Sequence, residues 1–198
     1  MARIYGLRII LRDTQFQNAS NMLNVNSKIK VALAMIVKGE DREADLLDRC
    51  LSGKIKDYAY PAQKEIDINN IDSLYDNVDG IFITLTQKND KCEEVANKYG
   101  ANISHYEWNN SFADARNFNF SQVPQEYDYI LWVDADDIVR NAYLIRDMAE
   151  ESAKEAIDLV VLNYLYGFDT DGNCDVKHLK TRLVKNDGCV DWVGELHE

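Results

Sequence analysis

The run Tyr129-Ile130-Leu131-Trp132-Val133 leads without a break into Asp134-Ala135-Asp136-Asp137. Five consecutive apolar residues fit a strand buried on both faces, as in the interior of a parallel sheet. Carboxylates cannot follow such a strand into a core, because unpaired charge in a low dielectric is costly. The strand must therefore end at the carboxyl edge of its sheet, where α/β folds open a crevice for ligands. Two aspartates one residue apart at that edge can hold a hard divalent cation through oxygen, and the cation can hold a diphosphate. Asp134 and Asp136 are the candidate ligands. Asp137 makes a third acid, and one of the three is expected only to cap a helix.

The rest of the chain supplies a sheet around this strand. Val31 to Val37 is another continuous apolar run. Lys38-Gly39-Glu40-Asp41 turns the chain into a helix with Ala44, Leu46, Leu47, Cys50 and Leu51 on one face, stopped by Gly53. Gly80 to Thr86 is a second strand. Asp90 is expected to cap the next helix, with Glu93 as its reciprocal partner, and Gly100 ends it. Ala101 to Tyr106 reads as a strand, Phe112 to Phe118 as a short helix, and Leu144 to Ala156 as an amphipathic helix. Leu159 to Tyr164 and Val176 to Val184 are strands joined through a turn at Asp169 to Asn173, and Asn186-Asp187-Gly188 turns again. This alternation predicts an α/β fold: a twisted, mainly parallel sheet with helices on both faces and a mixed antiparallel edge. Residues 1–29 read as an N-terminal extension and 30–198 as the domain. Lys54 to Asp79 looks like an insertion or an extended connection.

A chain of 198 residues with 46% hydrophobic content supports one folded core. Its net charge of -12 argues against a nucleic-acid or anionic-membrane partner, since both need a basic face. An acidic protein that handles an anionic substrate must bring local cations: a metal, an Arg or a helix N-terminus. Cys50, Cys92, Cys174 and Cys189 form no CxxC pair and read as free thiols of a cytoplasmic protein. No run approaches the roughly 20 apolar residues of a membrane span.

Two further motifs carry chemistry. In Trp108-Asn109-Asn110-Ser111-Phe112-Ala113-Asp114-Ala115-Arg116-Asn117, Ser111 can cap a helix with Asp114 at its third position. Arg116 can then neutralise phosphate charge, and Asp114 can hydrogen-bond a sugar hydroxyl. The second is Thr181-Arg182-Leu183-Val184-Lys185-Asn186 followed by Trp192-Val193-Gly194-Glu195-Leu196-His197-Glu198. His197 is a candidate metal ligand through neutral imidazole. The acidic stretch Asp169 to Asp175 is a turn and not a calcium loop, because its glycine and its twelfth position, Lys180, do not fit. Trp132 reads as core packing; Trp108 could line a cleft or pack.

The three pieces in this order resemble the family 2 glycosyltransferases of GT-A fold, in the cytosolic bacterial and phage branch with SFAxARN, DADD and WxGxxHE motifs. The resemblance implies that Ile36, Val37, Lys38 and Glu40 at the first strand edge, with Thr86, lie along the nucleotide. It places Asp114 and Arg116 at the donor sugar and diphosphate, and Asp134, Ala135 and Asp136 at the ribose and metal. It makes Asp136, Asp134 and His197 the ligands of Mn2+ or Mg2+. Inverting transfer from a nucleotide diphosphate sugar, most simply a UDP-sugar, to an acceptor needs a base. Glu198 is the first candidate and Glu195 the second. Family members commonly carry a uracil-reading Asp where Leu85 stands, so Thr86 or backbone must substitute. They also usually continue past the position of Glu198 into acceptor-binding helices. The alternative is a non-catalytic or weakly hydrolytic module that binds a sugar nucleotide. A sugar-phosphate nucleotidyltransferase would need a Gly- and Arg-rich loop after the first strand, and Met35-Ile36-Val37-Lys38-Gly39-Glu40 is not one.

Overall fold

A computed structural model describes residues 28–54, 73–169 and 174–194. The strands are β1 (Val31–Val37), β2 (Gly80–Leu85), β3 (Asn102–His105), β4 (Tyr129–Trp132), β5 (Leu159–Phe168) and β6 (Cys174–Lys185). The helices are α1 (Asp41–Ser52), α2 (Asp90–Lys98), α3 (Phe112–Ser121) and α4 (Ile145–Lys154). The sheet order is β3-β2-β1-β4-β6-β5. β1 runs parallel to β2 and β4, and β2 parallel to β3, while β6 lies antiparallel between β4 and β5. This is the α/β sheet with an antiparallel edge that the sequence predicts. The chain builds outward from β1 to β3, then crosses back to add β4 on the other side of β1. The carboxyl ends of β1 and β4 therefore flank a topological switch point, the place where open α/β sheets bind ligands.

The pleat divides the core. Val31, Leu33, Met35 and Val37 of β1 pack on one face with Leu47 and Leu51 of α1, Cys92 and Ala96 of α2, and Ile145 and Ala149 of α4. Ala32 and Ala34 point the other way, with Phe82, Ile130, Phe120 and Val123. Small side chains on this second face let α3 lie close over β1 and β2. Each fully buried Leu or Ile stabilises by about 1.5–3 kcal/mol. One buried polar chain ties α3 down. Asn119 donates to the Phe82 carbonyl at 3.1 Å and to Thr84 Oγ1 at 2.9 Å, and Thr84 shares a 2.7 Å hydrogen bond with Ser104. Every member is satisfied, so the burial is tolerated.

Several boundaries differ from expectation for local reasons. α1 does stop at Gly53, whose φ of 67° lets its N–H reach the Arg49 carbonyl. α2 is capped by Asn89, not Asp90: Asn89 Oδ1 accepts from Cys92 N–H at 3.0 Å. Asp90 is the first helical residue, where its charge suits the helix dipole. Glu93 lies 3.5 Å from His105 and does not close a capping box. α3 runs three residues past Phe118. β5 and β6 also run on, because two strands that pair with each other continue past the core. The expected turn at Asp169 to Asn173, beyond Asp169 itself, and most of residues 1–29 and 54–79, lie outside the described residues. Among the described residues no helix is long and apolar enough to cross a membrane.

Candidate active site

β4 delivers its acids at the switch point. The turn after it is locked reciprocally: Asp137 N–H donates to the Asp134 carbonyl at 3.0 Å, and Asp134 N–H donates to Asp137 Oδ2 at 3.0 Å. Asp137 is thus the capping acid of the three, but it caps the turn itself and not a helix. Burial pushes its carboxyl above the usual carboxylate range, against the pull of the Arg182 guanidinium. Ala135 is buried beneath the turn, and Asp136 is exposed at its tip.

Asp134 faces two guanidiniums. Arg116 Nη2 lies 3.7 Å from its Oδ1, and Arg182 Nη1 lies 3.6 Å from its Oδ2. Both arginines are only 4% exposed. Arg182 Nη2 also sits 3.0 Å from Asp137 Oδ2. Trp132 holds the pair, with its ring centroid 3.9 Å from Arg116 Cζ and 4.0 Å from Arg182 Cζ. Stacking of a guanidinium on an indole is among the stronger cation–π contacts. Trp132 is buried, as its place in the strand predicts, and also serves as the bed for both cations.

The helix motif folds as its sequence implies. Ser111 Oγ accepts from Asp114 N–H at 3.1 Å. The Asp114 carboxylate does not reach back to the Ser111 backbone. It accepts from Asn109 Nδ2 at 2.7 Å, and Asn109 Oδ1 takes the Ser111 N–H at 3.1 Å. Asp114 is exposed on the first turn of α3, two residues from buried Arg116, so the two side chains leave the helix in different directions. Trp108 is partly exposed and meets Phe112 edge-on at 4.9 Å.

Asn117, the last residue of that motif, clamps the C-terminal motif. Its Nδ2 donates to the Trp192 carbonyl at 2.9 Å, and its Oδ1 accepts from Trp192 N–H at 2.8 Å. Trp192 then packs edge-on against Trp132 at 4.9 Å and Phe120 at 5.6 Å, with Arg116 Cζ 4.9 Å from its ring. The two motifs are one assembly. Asn117→Ala removes both bonds and is expected to lower stability by about 1–3 kcal/mol. Asn117→Asp keeps the acceptor but sets a carboxylate oxygen against the Trp192 carbonyl, so it should lose at least as much. Urea unfolding measures both, and an unchanged midpoint in Asn117→Ala would dismiss the clamp.

The nucleotide residues expected on β1 and β2 sit at the same edge. Gly39 has a φ of 78°, and a Cβ there would lie 1.9 Å from the Gln87 carbonyl oxygen. Only glycine lets the loops after β1 and β2 touch so closely. Thr86 N–H donates to the Val37 carbonyl at 2.9 Å, Ile36 is partly exposed, and Lys38 and Glu40 form an ion pair. The Lys38 hydrogen bond holds the Glu40 carboxyl below its ordinary range. Burial raises Glu43, with the Asp136 and Glu40 carboxylates pushing the same way against Arg42. A cleft of about 550 Å³ opens at the ends of β2 and β3, lined by Thr86, Gln87, Lys88, Tyr106 and Glu107 among others. Leu85 is 1% exposed and belongs to the core.

The structure therefore brings Arg116 to Asp134 and leaves Asp114 apart from them. His197, Glu198 and Glu195 lie outside the described residues. Among the described residues no group of three or more His, Cys, Asp or Glu side chains is arranged to hold a metal ion. Two carboxylates with hard oxygen donors nevertheless fit Mg2+ or Mn2+ held jointly with substrate phosphates, a mode that uses one or two protein carboxylates. Sequence reasoning missed Arg182 and Asn117. No pattern in the mixed stretch Leu179-Lys180-Thr181-Arg182-Leu183-Val184 marks Arg182 as buried; only its place directly before the apolar pair Leu183-Val184 hints at it.

Residues 68–189 match the family model described as Glycosyl transferase family 2. No curated protein sequence matches the chain significantly. Among solved structures, the chain is similar to the crystal structure of S. aureus TarS 1-349, with 15% identity, a TM-score of 0.44, and coverage of 66% of this chain and 34% of that one. It thus spans about a third of that chain's length.

Proposed function

The chain belongs to glycosyl transferase family 2, and we propose that it moves a sugar from a nucleotide diphosphate sugar, a UDP-sugar, to an acceptor hydroxyl with inversion. The observation that carries this reading is the pair of buried guanidiniums facing Asp134 at the switch point, beside exposed Asp136. Two cations stacked on one indole, in a chain of net charge -12, make a local site for a diphosphate.

In this reading Arg116 and Arg182 bind the diphosphate and stabilise the charge that develops on it as the sugar leaves. They are already oriented and partly desolvated, so their effect exceeds that of a cation in water. Asp136 and Asp134, with His197 by resemblance, would hold Mn2+ or Mg2+, which would supply Lewis-acid stabilisation of leaving-group charge. The acceptor oxygen bonds the anomeric carbon as the bond to the phosphate oxygen breaks. The acceptor proton passes to a carboxylate, Glu198 first and Glu195 second. Asp114 hydrogen-bonds a sugar hydroxyl. Ile36, Val37, Lys38, Glu40, Thr86 and Ala135 line the nucleotide, and the base edge is read by Thr86 or backbone, since Leu85 is committed to the core. The free thiols of Cys50, Cys92, Cys174 and Cys189 support a cytoplasmic site of action.

Calorimetric titration with UDP, with and without Mn2+, and with GDP and CDP as controls, tests the donor site. UDP is expected to bind only with Mn2+, and Arg116→Ala to weaken it at least about tenfold. Folded protein that binds no nucleotide diphosphate would overturn the reading. Binding without sugar transfer to any acceptor would favour the non-catalytic module.

A further inference from the structure

Beyond the crevice, β5 and β6 carry a run of rings and cations that donor binding does not use. Tyr164 stands opposite His178 and Leu162 opposite Lys180 in the register, so Tyr164, His178 and Lys180 share one face of the ribbon, and Tyr166, at a register shift between Leu165 and Gly167, packs on His178. Tyr166 lies 5.8 Å from His178 and 6.2 Å from Tyr164, centroid to centroid. Lys180 Nζ sits 4.4 Å from the Tyr164 ring, and Arg182 Cζ sits 5.1 Å from the same ring. Arg182 then passes to Trp132 and the donor crevice. The stripe starts at Tyr166, which is 69% exposed, and ends at the buried arginines.

A register shift between Val160 and Val161 makes the join. Val161 pairs with Thr181 and Val160 with Leu183, so Arg182 is the extra residue of a bulge. Bulges beside active sites re-aim side chains. Here the bulge turns Arg182 toward Asp134 while Tyr164 still touches it. Burial, and then the Asp137 carboxylate, push the Tyr164 hydroxyl up to about 12, so it stays a neutral donor at physiological pH.

We infer that this face of the ribbon, Tyr164, His178 and Lys180, with Tyr166 packed on His178, is the acceptor subsite, and that the acceptor is a saccharide bearing a phosphate or carboxylate beside its ring. The inference rests on the proposed donor site, with which the stripe is continuous. Aromatic rings with a polar tip offer an apolar bed for the C–H face of a sugar and hydrogen bonds at its rim. Lys180 supplies the cation, and in a chain of net charge -12 a cationic stripe selects an anion locally. Its short length disfavours a nucleic-acid strand, whose affinity comes from many phosphate contacts.

The test is calorimetric titration of the full chain with trigalacturonate and mannose 6-phosphate as anionic probes, and with chitotriose and a dT oligonucleotide as controls. The double variant Tyr166→Ala/Lys180→Gln is titrated in parallel, and UDP with Mn2+ is run on both proteins. At least one anionic saccharide should bind about tenfold tighter than chitotriose, weaken with salt, and lose about tenfold in the double variant. UDP binding should stay within about twofold, since neither substituted residue touches the crevice. Equal binding of charged and neutral sugars, unchanged affinity in the variant, preference for the oligonucleotide, or no binding of either anionic probe would each overturn the inference. Failure of UDP to bind, with saccharide binding intact, would instead overturn the donor site.

Discussion

Replacing Arg182 with Ala is expected to lower stability by about 3–5 kcal/mol at neutral pH, because it leaves the largely buried Asp137 without its cation, while Asp134 keeps Arg116. Arg182 is the ion-pair partner of Asp137 at 3.0 Å and of Asp134 at 3.6 Å, and its Nη1 also points at the Trp132 carbonyl at 3.4 Å. The loss should depend on pH with a definite sign. Asp137 has its folded pKa raised, chiefly by burial. A raised carboxyl contributes stability that is present below its unfolded pKa and lost as pH rises through the folded value. The wild type carries that loss at neutral pH, with Arg182 offsetting part of it. Without Arg182 the Asp137 pKa climbs further, so the variant's deficit should shrink as pH falls toward the ordinary carboxylate range. Urea unfolding of both proteins at pH 7 and pH 5 reads this directly. A deficit under about 1 kcal/mol, of the size seen for exposed pairs, would show that the pair is not part of the core of the site. Turnover should fall by about 10²–10³, the usual consequence of losing one preorganised group at a developing charge.

Asp136→Asn should do the opposite: keep the fold and remove the metal response. Asp136 is exposed at the tip of the β4 turn, while the neighbouring acids hold that turn together. Its unfolding free energy should stay within about 0.5 kcal/mol of wild type, as for other surface changes. Mn2+-stimulated turnover should fall by about 10²-fold or more, because several kcal/mol of charge stabilisation go with the cation. A Mn2+ titration of UDP binding and of turnover gives both readings. Normal stimulation by Mn2+ in the variant would remove Asp136 from the metal site. The contrast between the two variants separates roles that the sequence Asp-Ala-Asp-Asp leaves merged.

Much of this was legible because it is local. The apolar run Val31 to Val37 gave β1 its bounds without error, since a strand covered on both faces has no reason to admit a polar residue. The acids after β4 announced the sheet edge for the same reason. Ser111 with Asp114 announced the start of α3. What was not legible depends on partners far away in the chain. Asn117 meets Trp192 across 75 residues, and nothing in either motif alone shows that they touch. The bulge that aims Arg182 is a property of strand register, which period-2 patterning cannot reveal. Leu85, read as a departure from a base-reading position, proved to be a core residue. Asn89 and Asp90 are both good capping residues, and only the backbone decides between them.

Trp132 and Trp192 are two of the three tryptophans in the chain, and they sit 4.9 Å apart against the Arg116 guanidinium. An indole's emission follows the charge beside it. An anion arriving at the guanidiniums changes the field on both rings at once, while Trp108 packs edge-on against Phe112. The molecule therefore carries its own optical reporter, built from the residues that would grip the ligand. On the proposed donor reading, occupancy of the crevice is expected to change the fluorescence of unlabelled protein, on the timescale of mixing, with no acceptor or product in hand.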